Sequence, residues 1–117
     1  MDLDQPQYQT PPIPSGCALR HRIIDNKEVL VHRVGIEISR ICNLRCSYCY
    51  AGSGKPLNNE LSFAELKNLM DQAHQVGATI IPIIGGGESM MYPYFLELVA
   101  YIVKKGMIPG IFTNATL

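Results

Sequence analysis

The sequence predicts an α/β fold in which parallel strands alternate with helices. Residues 34–39, 78–84 and 107–113 have strand-like apolar patterns, and the segments between them contain two amphipathic helical patterns. In the order strand, helix, strand, helix, strand, each helix is a crossover connection, and such crossovers join parallel strands with right-handed topology. A chain of 117 residues that is 47% hydrophobic is long enough for one domain with its own core.

The segment before the first of these strands has a different character. Four prolines fall within residues 1–16, which have no helical or alternating period, so this stretch is expected to be an extended or disordered arm. Two β-prone runs flank the turn-favouring sequence DNK at residues 25–27 and predict a β-hairpin over residues 18–32. We therefore divide the chain into an arm and hairpin, residues 1–33, and an α/β domain, residues 34–117.

The first strand and the first helix have clear local signals. Apolar and polar residues alternate in VGIEIS, residues 34–39. The helix is predicted to follow Ser62, because a hydroxyl cap with Glu65 three residues later is a capping box, and to end before Gly77, which suits the left-handed position after a helix. Its apolar face comprises Phe63, Leu66, Leu69, Met70, Ala73 and Val76.

The remaining elements are predicted in the same way. ATIIPII, residues 78–84, is typical of a strand covered on both faces, but Pro82 cannot donate to a ladder and requires a bulge or an unpaired position. The second helix has Pro93 near its first turn and Gly106 after its end. Its apolar face comprises Phe95, Leu98, Val99, Ile102 and Val103. The third strand, residues 107–113, is expected to have an unpaired edge.

A conspicuous loop follows each predicted strand: CNLRCSYC, GGGE and TNA. The carboxyl ends of parallel strands lie at one edge of a sheet, where such folds bind ligands, so the three loops are expected to converge. Glycines allow the backbone to approach a ligand closely, and the carboxylate of Glu88 can accept hydrogen bonds from an ammonium group. Taken alone, GGGE is equally well explained as a tight turn.

The first loop has three cysteines, Cys42, Cys46 and Cys49, in the spacing C-x3-C-x2-C. Such bunching differs from a secreted disulfide framework and favours reduced thiols that bind metal. Three thiolates would leave one iron of a cubane iron–sulfur cluster open to an external ligand. Two alternatives stay open: a non-catalytic zinc-binding module completed by Cys17 or a histidine, and a thioredoxin-like pair of Cys46 and Cys49.

With these motifs the chain resembles the radical S-adenosylmethionine (SAM) superfamily. The resemblance rests on the three-cysteine loop, on Tyr48 before the last cysteine and on the GGE that follows the second strand, and it covers about residues 34–117. The string CNLRCSYCY is similar to the subset that matures peptides and cofactors. The resemblance implies a TIM-like (β/α) barrel, of which residues 34–117 would form about the first half.

The resemblance also implies an enzyme with two cofactors, a [4Fe-4S] cluster and SAM. Cys42, Cys46 and Cys49 would hold the cluster, and the amino and carboxylate groups of SAM would chelate the fourth iron. The reduced cluster would cleave SAM to a 5′-deoxyadenosyl radical, which abstracts a hydrogen from a substrate; a peptide substrate is favoured by analogy. Half a barrel is not expected to turn over alone. The residues expected to contact SAM are Tyr48, Gly86, Gly87, Glu88, Thr113 and Asn114.

Four residues add detail to this resemblance. Ser89 replaces the proline that commonly follows GGE, and Ala115 replaces the glycine of the family's TNG, so Ala115 would be strained if its φ were positive. Glu37 and Ser39 share one face of the first strand, and we hypothesise that they point into the cavity beneath the cluster.

Charge and hydropathy limit the expected partners. Ten acidic and ten basic residues balance, and no basic run is present, so neither nucleic acid nor a membrane is predicted as a partner. Neither a secretory signal nor an apolar run of about 18 residues is present, which predicts a cytoplasmic protein. The resemblance implies SAM, a substrate, an electron donor such as flavodoxin or ferredoxin, and the missing half of the barrel or another chain as partners.

Overall fold

The computed structural model describes residues 22–24, 27–29 and 31–117 of the chain. The predicted arm over residues 1–16 and Cys17 lie outside this part. Within the described ranges, neither helix has the length and apolarity that a membrane crossing requires.

A short hairpin precedes the α/β unit. Strands β1 (Arg22–Ile24) and β2 (Lys27–Val29) pair antiparallel, with Ile24 opposite Lys27. The predicted hairpin is confirmed, but Lys27 was expected in its turn and is instead the first residue of β2. The physical reason is the register, because Lys27 pairs with Ile24 in the antiparallel ladder. Residues 18–21 of the predicted hairpin lie outside the described part.

The α/β unit has the predicted order of strands and helices. Its elements are β3 (Ile36–Ser39), α1 (Phe63–Gln75), β4 (Ile80–Gly86), a 3₁₀ turn (Ser89–Met91), α2 (Phe95–Lys104) and β5 (Ile108–Ile111). Strand β4 lies in the middle of the sheet and pairs in parallel with both β3 and β5. The α/β class is therefore confirmed, while the described strands form an open three-stranded sheet and not a closed barrel.

Helix α1 begins and ends as its local signals predict. The side chain of Ser62 accepts a hydrogen bond from the Glu65 backbone N–H at 3.3 Å, and the Glu65 carboxylate accepts one from the Ser62 N–H at 2.7 Å. These reciprocal bonds satisfy two N–H groups at the helix start. At the other end, Gly77 has a φ of 91°, the left-handed conformation expected there.

Both helices pack on one face of the sheet and form the core with it. The fully buried large side chains are Leu66 and Met70 of α1, Ile81 and Ile83 of β4, and Leu98 and Ile102 of α2. Each such side chain stabilises the fold by about 1.5–3 kcal/mol relative to an exposed position. The prediction for Val103 is wrong, since this residue is 56% exposed. The reason is geometric: Ile102 faces the sheet, and the next residue along a helix is turned away from it.

The opposite face of the sheet has no helix on it among the described residues. Gly35, Pro82, Ile84, Gly110 and Phe112 line a groove on this face. Pro82 pairs with Gly110 of β5, and the described ladder gives it no partner in β3. The predicted irregularity at the proline is thus confirmed as an unpaired position on one side of the middle strand.

Candidate functional site

The three loops meet at the carboxyl edge of the sheet, as predicted. They surround a cavity of about 310 Å³. Eight of the nine residues predicted to bind the cluster or SAM line it: Cys42, Cys46, Cys49, Gly86, Gly87, Glu88, Thr113 and Asn114. The ninth, Tyr48, is 87% exposed and does not line the cavity.

The cysteine loop, residues 40–54, is held by backbone hydrogen bonds. The Cys42 N–H donates to Gly54 O at 3.2 Å, which closes the loop near its two ends. Within it, the Cys49 N–H donates to Cys46 O at 3.1 Å and forms a tight turn between the last two cysteines. The loop backbone thus brings three cysteines from eight positions of sequence to one side of the cavity.

All three cysteines of this loop are free thiols with partial exposure. The Cys49 Sγ lies 3.4 Å from Ser53 Oγ. Hydrogen bonds from the Ser53 side chain, and then from the backbone at Ser53 and Ala51, lower the pKa of Cys49 to about 7. Because the thiolate is the metal-binding form, a thiol with this pKa is prepared for ligation at neutral pH.

The three thiols line a cavity and do not converge on a position where one metal ion could bind all of them. In the described part of the chain, no three Cys, His, Asp or Glu side chains could hold one metal ion together. A cubane cluster has a different requirement, since each thiolate binds a different iron atom. Three reduced thiols that line one cavity fit that requirement.

The glycine segment, Gly85–Glu88, packs directly against the cysteine loop. The Glu88 N–H donates to Ile41 O at 2.8 Å. A Cβ atom on Gly87 would lie only 2.0 Å from Ile41 O, so no other residue fits there without a shift of the backbone. The sequence suggested that these glycines allow close approach of a ligand. At Gly87 the approaching group is the backbone of the cysteine loop.

Glu88 is a buried hydrogen-bonding centre. Its carboxylate is 2% exposed and accepts hydrogen bonds from Thr113 Oγ1 at 2.8 Å, from the Asn114 N–H at 2.7 Å and from the Met90 N–H at 3.0 Å. Burial raises the pKa of Glu88, but these hydrogen bonds outweigh it and bring the pKa below its ordinary value. A carboxylate has about four acceptor positions, and these hydrogen bonds from the described residues occupy three of them.

The third loop is tied to the cysteine loop through the side chain of Asn43. Asn114 Nδ2 donates to Asn43 Oδ1 at 2.9 Å, and Asn43 Nδ2 donates to Thr116 Oγ1 at 2.7 Å. Between these partners, Ala115 has a φ of 57°. The predicted strain at this alanine is therefore confirmed.

Glu60 anchors the start of the cysteine loop and was not predicted. Its carboxylate accepts hydrogen bonds at 2.8 Å from Ser39 Oγ, from the Arg40 N–H and from the Leu57 N–H. Burial raises the pKa of Glu60, yet these bonds outweigh it and lower the pKa overall. The Ser39 side chain is thus hydrogen-bonded to Glu60 and does not line the cavity, contrary to the hypothesis for this residue.

Glu37 does not itself line the cavity but lies at its rim, on the face of β3 opposite the buried Ile36 and Ile38, and the hypothesis that it points into the cavity stays a prediction. Its exposed carboxylate accepts a hydrogen bond at 3.0 Å from Tyr50 OH, and Tyr50 does line the cavity. This hydrogen bond and the negative charge of Glu37 raise the pKa of Tyr50. Glu37 therefore lies next to two residues that line the cavity, Tyr50 and Gly86, since a Cβ atom on Gly86 would be 3.1 Å from Glu37 Oε2.

Fold and site together define an α/β protein with three thiols and a glycine–glutamate segment around one cavity. Residues 36–117 match the family model of the Radical SAM superfamily, and the chain belongs to this superfamily. The superfamily as a class uses SAM together with an iron–sulfur cluster, which agrees with the donor set described above.

Several curated proteins are similar to this chain. The Fe-coproporphyrin III synthase of Methanosarcina barkeri is 40% identical over 94 residues, 80% of this chain and 22% of that protein. The AdoMet-dependent heme synthase of Oleidesulfovibrio alaskensis is 34% identical over 104 residues, 88% of this chain and 26% of that protein. The sporulation killing factor maturation protein SkfB of Bacillus subtilis is 34% identical over 79 residues, 68% of this chain and 19% of that protein. The chain thus spans about a quarter of the length of these relatives or less.

Proposed function

We propose that this chain is part of a radical SAM enzyme that binds a [4Fe-4S] cluster through Cys42, Cys46 and Cys49 and binds SAM beside it. The observation that supports this most strongly is that three free thiols and Gly86–Glu88 line the same cavity. When bound, the cluster supplies the electron for reductive cleavage of SAM, whose 5′-deoxyadenosyl fragment then takes a hydrogen atom from the substrate.

The residues around the cavity have distinct roles in this proposal. Glu88 uses two acceptor positions to hold Thr113 and Asn114 of the third loop and one for the Met90 N–H, and it offers the fourth to the amino group of SAM. Ile84 and Phe112 give the cavity an apolar wall for the adenosyl group. Tyr48, exposed at 87%, is available to cover the adenine once SAM is bound.

The proposed substrate is a peptide, an assignment supported by the likeness to the maturation protein SkfB. A porphyrin is the second candidate, supported by 40% identity to an Fe-coproporphyrin III synthase. Titration of the reconstituted protein with iron coproporphyrin III, followed by visible absorption, separates the two candidates. We further propose a flavodoxin or ferredoxin as electron donor, a cytoplasmic location and the rest of a barrel, from this chain or another, as partner.

Anaerobic reconstitution with iron and sulfide tests the cluster against zinc. We expect an oxygen-sensitive brown protein with about four irons and four sulfides per chain and an electron paramagnetic resonance (EPR) signal that changes when SAM is added. A colourless protein with one zinc per chain would instead establish a non-catalytic zinc-binding module.

Single alanine substitutions identify the ligands in the same assay. Cys42→Ala, Cys46→Ala and Cys49→Ala should each lose the cluster, because a cubane held by two thiolates is exposed to solvent and dissociates. Cys17→Ala is the matched control and should keep full iron content. Retention of the cluster by any of the first three variants contradicts the assignment.

A further inference from the structure

Ser53 belongs to the cysteine loop and contacts the glycine segment. Its Oγ is 3.4 Å from Cys49 Sγ and also donates a hydrogen bond to the carbonyl oxygen of Gly86. All three residues line the same cavity. One half-buried hydroxyl is therefore in contact with a predicted cluster ligand and with the backbone of the segment predicted to bind SAM.

The chemistry of a hydroxyl limits how these two contacts can coexist. Serine has one proton to donate and can donate it to only one acceptor at a time. A thiolate bound to iron has no proton and accepts hydrogen bonds, so its contact with Ser53 is favourable when Ser53 donates to the sulfur. The hydrogen bond to the Gly86 carbonyl is then given up, and that carbonyl becomes free to accept a hydrogen bond within the cavity.

We propose that Ser53 is a positioning residue that donates its proton to the Cys49 thiolate in the cluster-loaded protein and thereby releases the Gly86 carbonyl. This inference rests on the proposed function, since it requires a cluster at Cys49. Hydrogen bonds to the sulfurs of a cluster stabilise its more negative reduced state and so raise its reduction potential. Ser53 therefore tunes the potential of the cluster and couples the cysteine loop to the glycine segment.

The test compares Ser53→Thr with Ser53→Val, because the two side chains have the same shape and only threonine has a hydroxyl. Ser47→Ala is the control, since Ser47 is an exposed serine of the same loop. The reconstituted variants are titrated with reductant, and the midpoint potential of the cluster is read by EPR. We expect Ser53→Val to have a more negative potential than the wild type, and Ser53→Thr and Ser47→Ala to match the wild type.

The affinity for SAM, read from the SAM-induced change of the same EPR signal, tests the release of Gly86. If the carbonyl is already free in the loaded protein, Ser53→Thr and Ser53→Val bind SAM equally tightly. Several-fold weaker binding of SAM by Ser53→Thr would show that the hydroxyl remains hydrogen-bonded to the Gly86 carbonyl. That result would refute the proposed release of this carbonyl.

The remaining outcomes are also decisive. Equal midpoint potentials of Ser53→Thr and Ser53→Val would refute the role of the hydroxyl. Loss of cluster in Ser53→Val alone supports that role, whereas loss in both variants refutes it, because shape and not the proton would then matter. A wild-type protein that takes up no cluster would count against the proposed function itself, which is a distinguishable result.

Discussion

The cysteine loop and the glycine segment lie against each other but are built in opposite ways. In the cysteine loop the thiols are partly exposed, and Tyr48 and Tyr50 are 87% and 80% exposed. In the glycine segment, Glu88 is 2% exposed and has three protein partners. The difference teaches that partly exposed thiols are concentrated in one region and buried hydrogen bonds that stabilise the fold in the other. Substitutions in the two regions should therefore separate metal uptake from folding.

The largest effect on folding is expected for Gly87→Ala. Its new Cβ would lie 2.0 Å from Ile41 O, so the junction between the two regions must move, which costs about 3 kcal/mol of unfolding free energy. Urea denaturation measures this loss. Gly52→Ala in the cysteine loop is the control, because Gly52 has a φ of 57° and open space around it and should lose only about 1 kcal/mol. Equal losses would mean that the junction is not tightly packed.

Glu88→Gln is expected to lower the unfolding free energy by about 2 kcal/mol. An amide has only one acceptor oxygen, and its NH2 group would face an N–H donor, so the partly buried hydrogen bonds from Met90 and Asn114 lose their charged acceptor. Glu97→Gln, at an exposed position of α2, should change the value by less than about 0.5 kcal/mol. A similar loss of unfolding free energy in both variants would show that Glu88 is not a hydrogen-bonding centre of the fold.

The pH dependence of the Glu88→Gln effect follows from the direction of the pKa shift. The pKa of Glu88 in the folded protein is lowered, with burial opposing the shift and the hydrogen bonds causing it. The stabilisation is therefore complete above the unfolded pKa of about 4.3 and is lost as the pH falls through the lower folded value. The difference between wild type and variant should be constant from about pH 6 to pH 8 and should narrow below about pH 4. A difference that persists in acid would mean that the carboxylate charge is not its source.

Ala115→Gly is expected to raise the unfolding free energy by about 0.5–1 kcal/mol. Glycine adopts a positive φ without strain, and this gain exceeds the added freedom of the unfolded chain. Ala100→Gly is the control of opposite sign, because Ala100 is exposed within α2 and glycine there should cost about 1 kcal/mol. Thermal unfolding distinguishes the two directions. A destabilised Ala115→Gly variant would show that the third loop does not hold this conformation in solution.

The smallest effect on folding is expected for Cys46→Ser in the metal-free protein, below about 0.5 kcal/mol, since the side chain is partly exposed in a loop. The same variant should lose the cluster after reconstitution. Urea denaturation and iron analysis of one preparation measure both quantities. A large loss of unfolding free energy in the metal-free variant would mean that the cysteine loop stabilises the fold as the glycine segment does.

The sequence was informative where a signal is local. The capping box of Ser62 and Glu65, the left-handed Gly77 and the convergence of three loops were all predictable, because they follow from short spacings and from parallel topology. Glu60 was not predictable. Its partner Ser39 lies 21 residues earlier in the chain, and only the tertiary fold brings the two side chains together.

The same limit applies to the glycines and to Ser53. The pattern GGGE indicated that a backbone approaches closely, but not that the group next to Gly87 is the carbonyl of Ile41. The contact of Ser53 with Gly86 spans 33 residues and has no counterpart in local spacing. Contacts between loops depend on how strands and helices place the loops, and a motif encodes only its own segment.

Two side chains, Ile84 and Phe112, belong both to the cavity at the sheet edge and to the groove on the open sheet face. Both side chains are partly exposed, Ile84 at 45% and Phe112 at 59%, so the cavity and the groove are neighbouring spaces that share them. A molecule on the open face that contacts either side chain would therefore lie next to the site without touching a thiol.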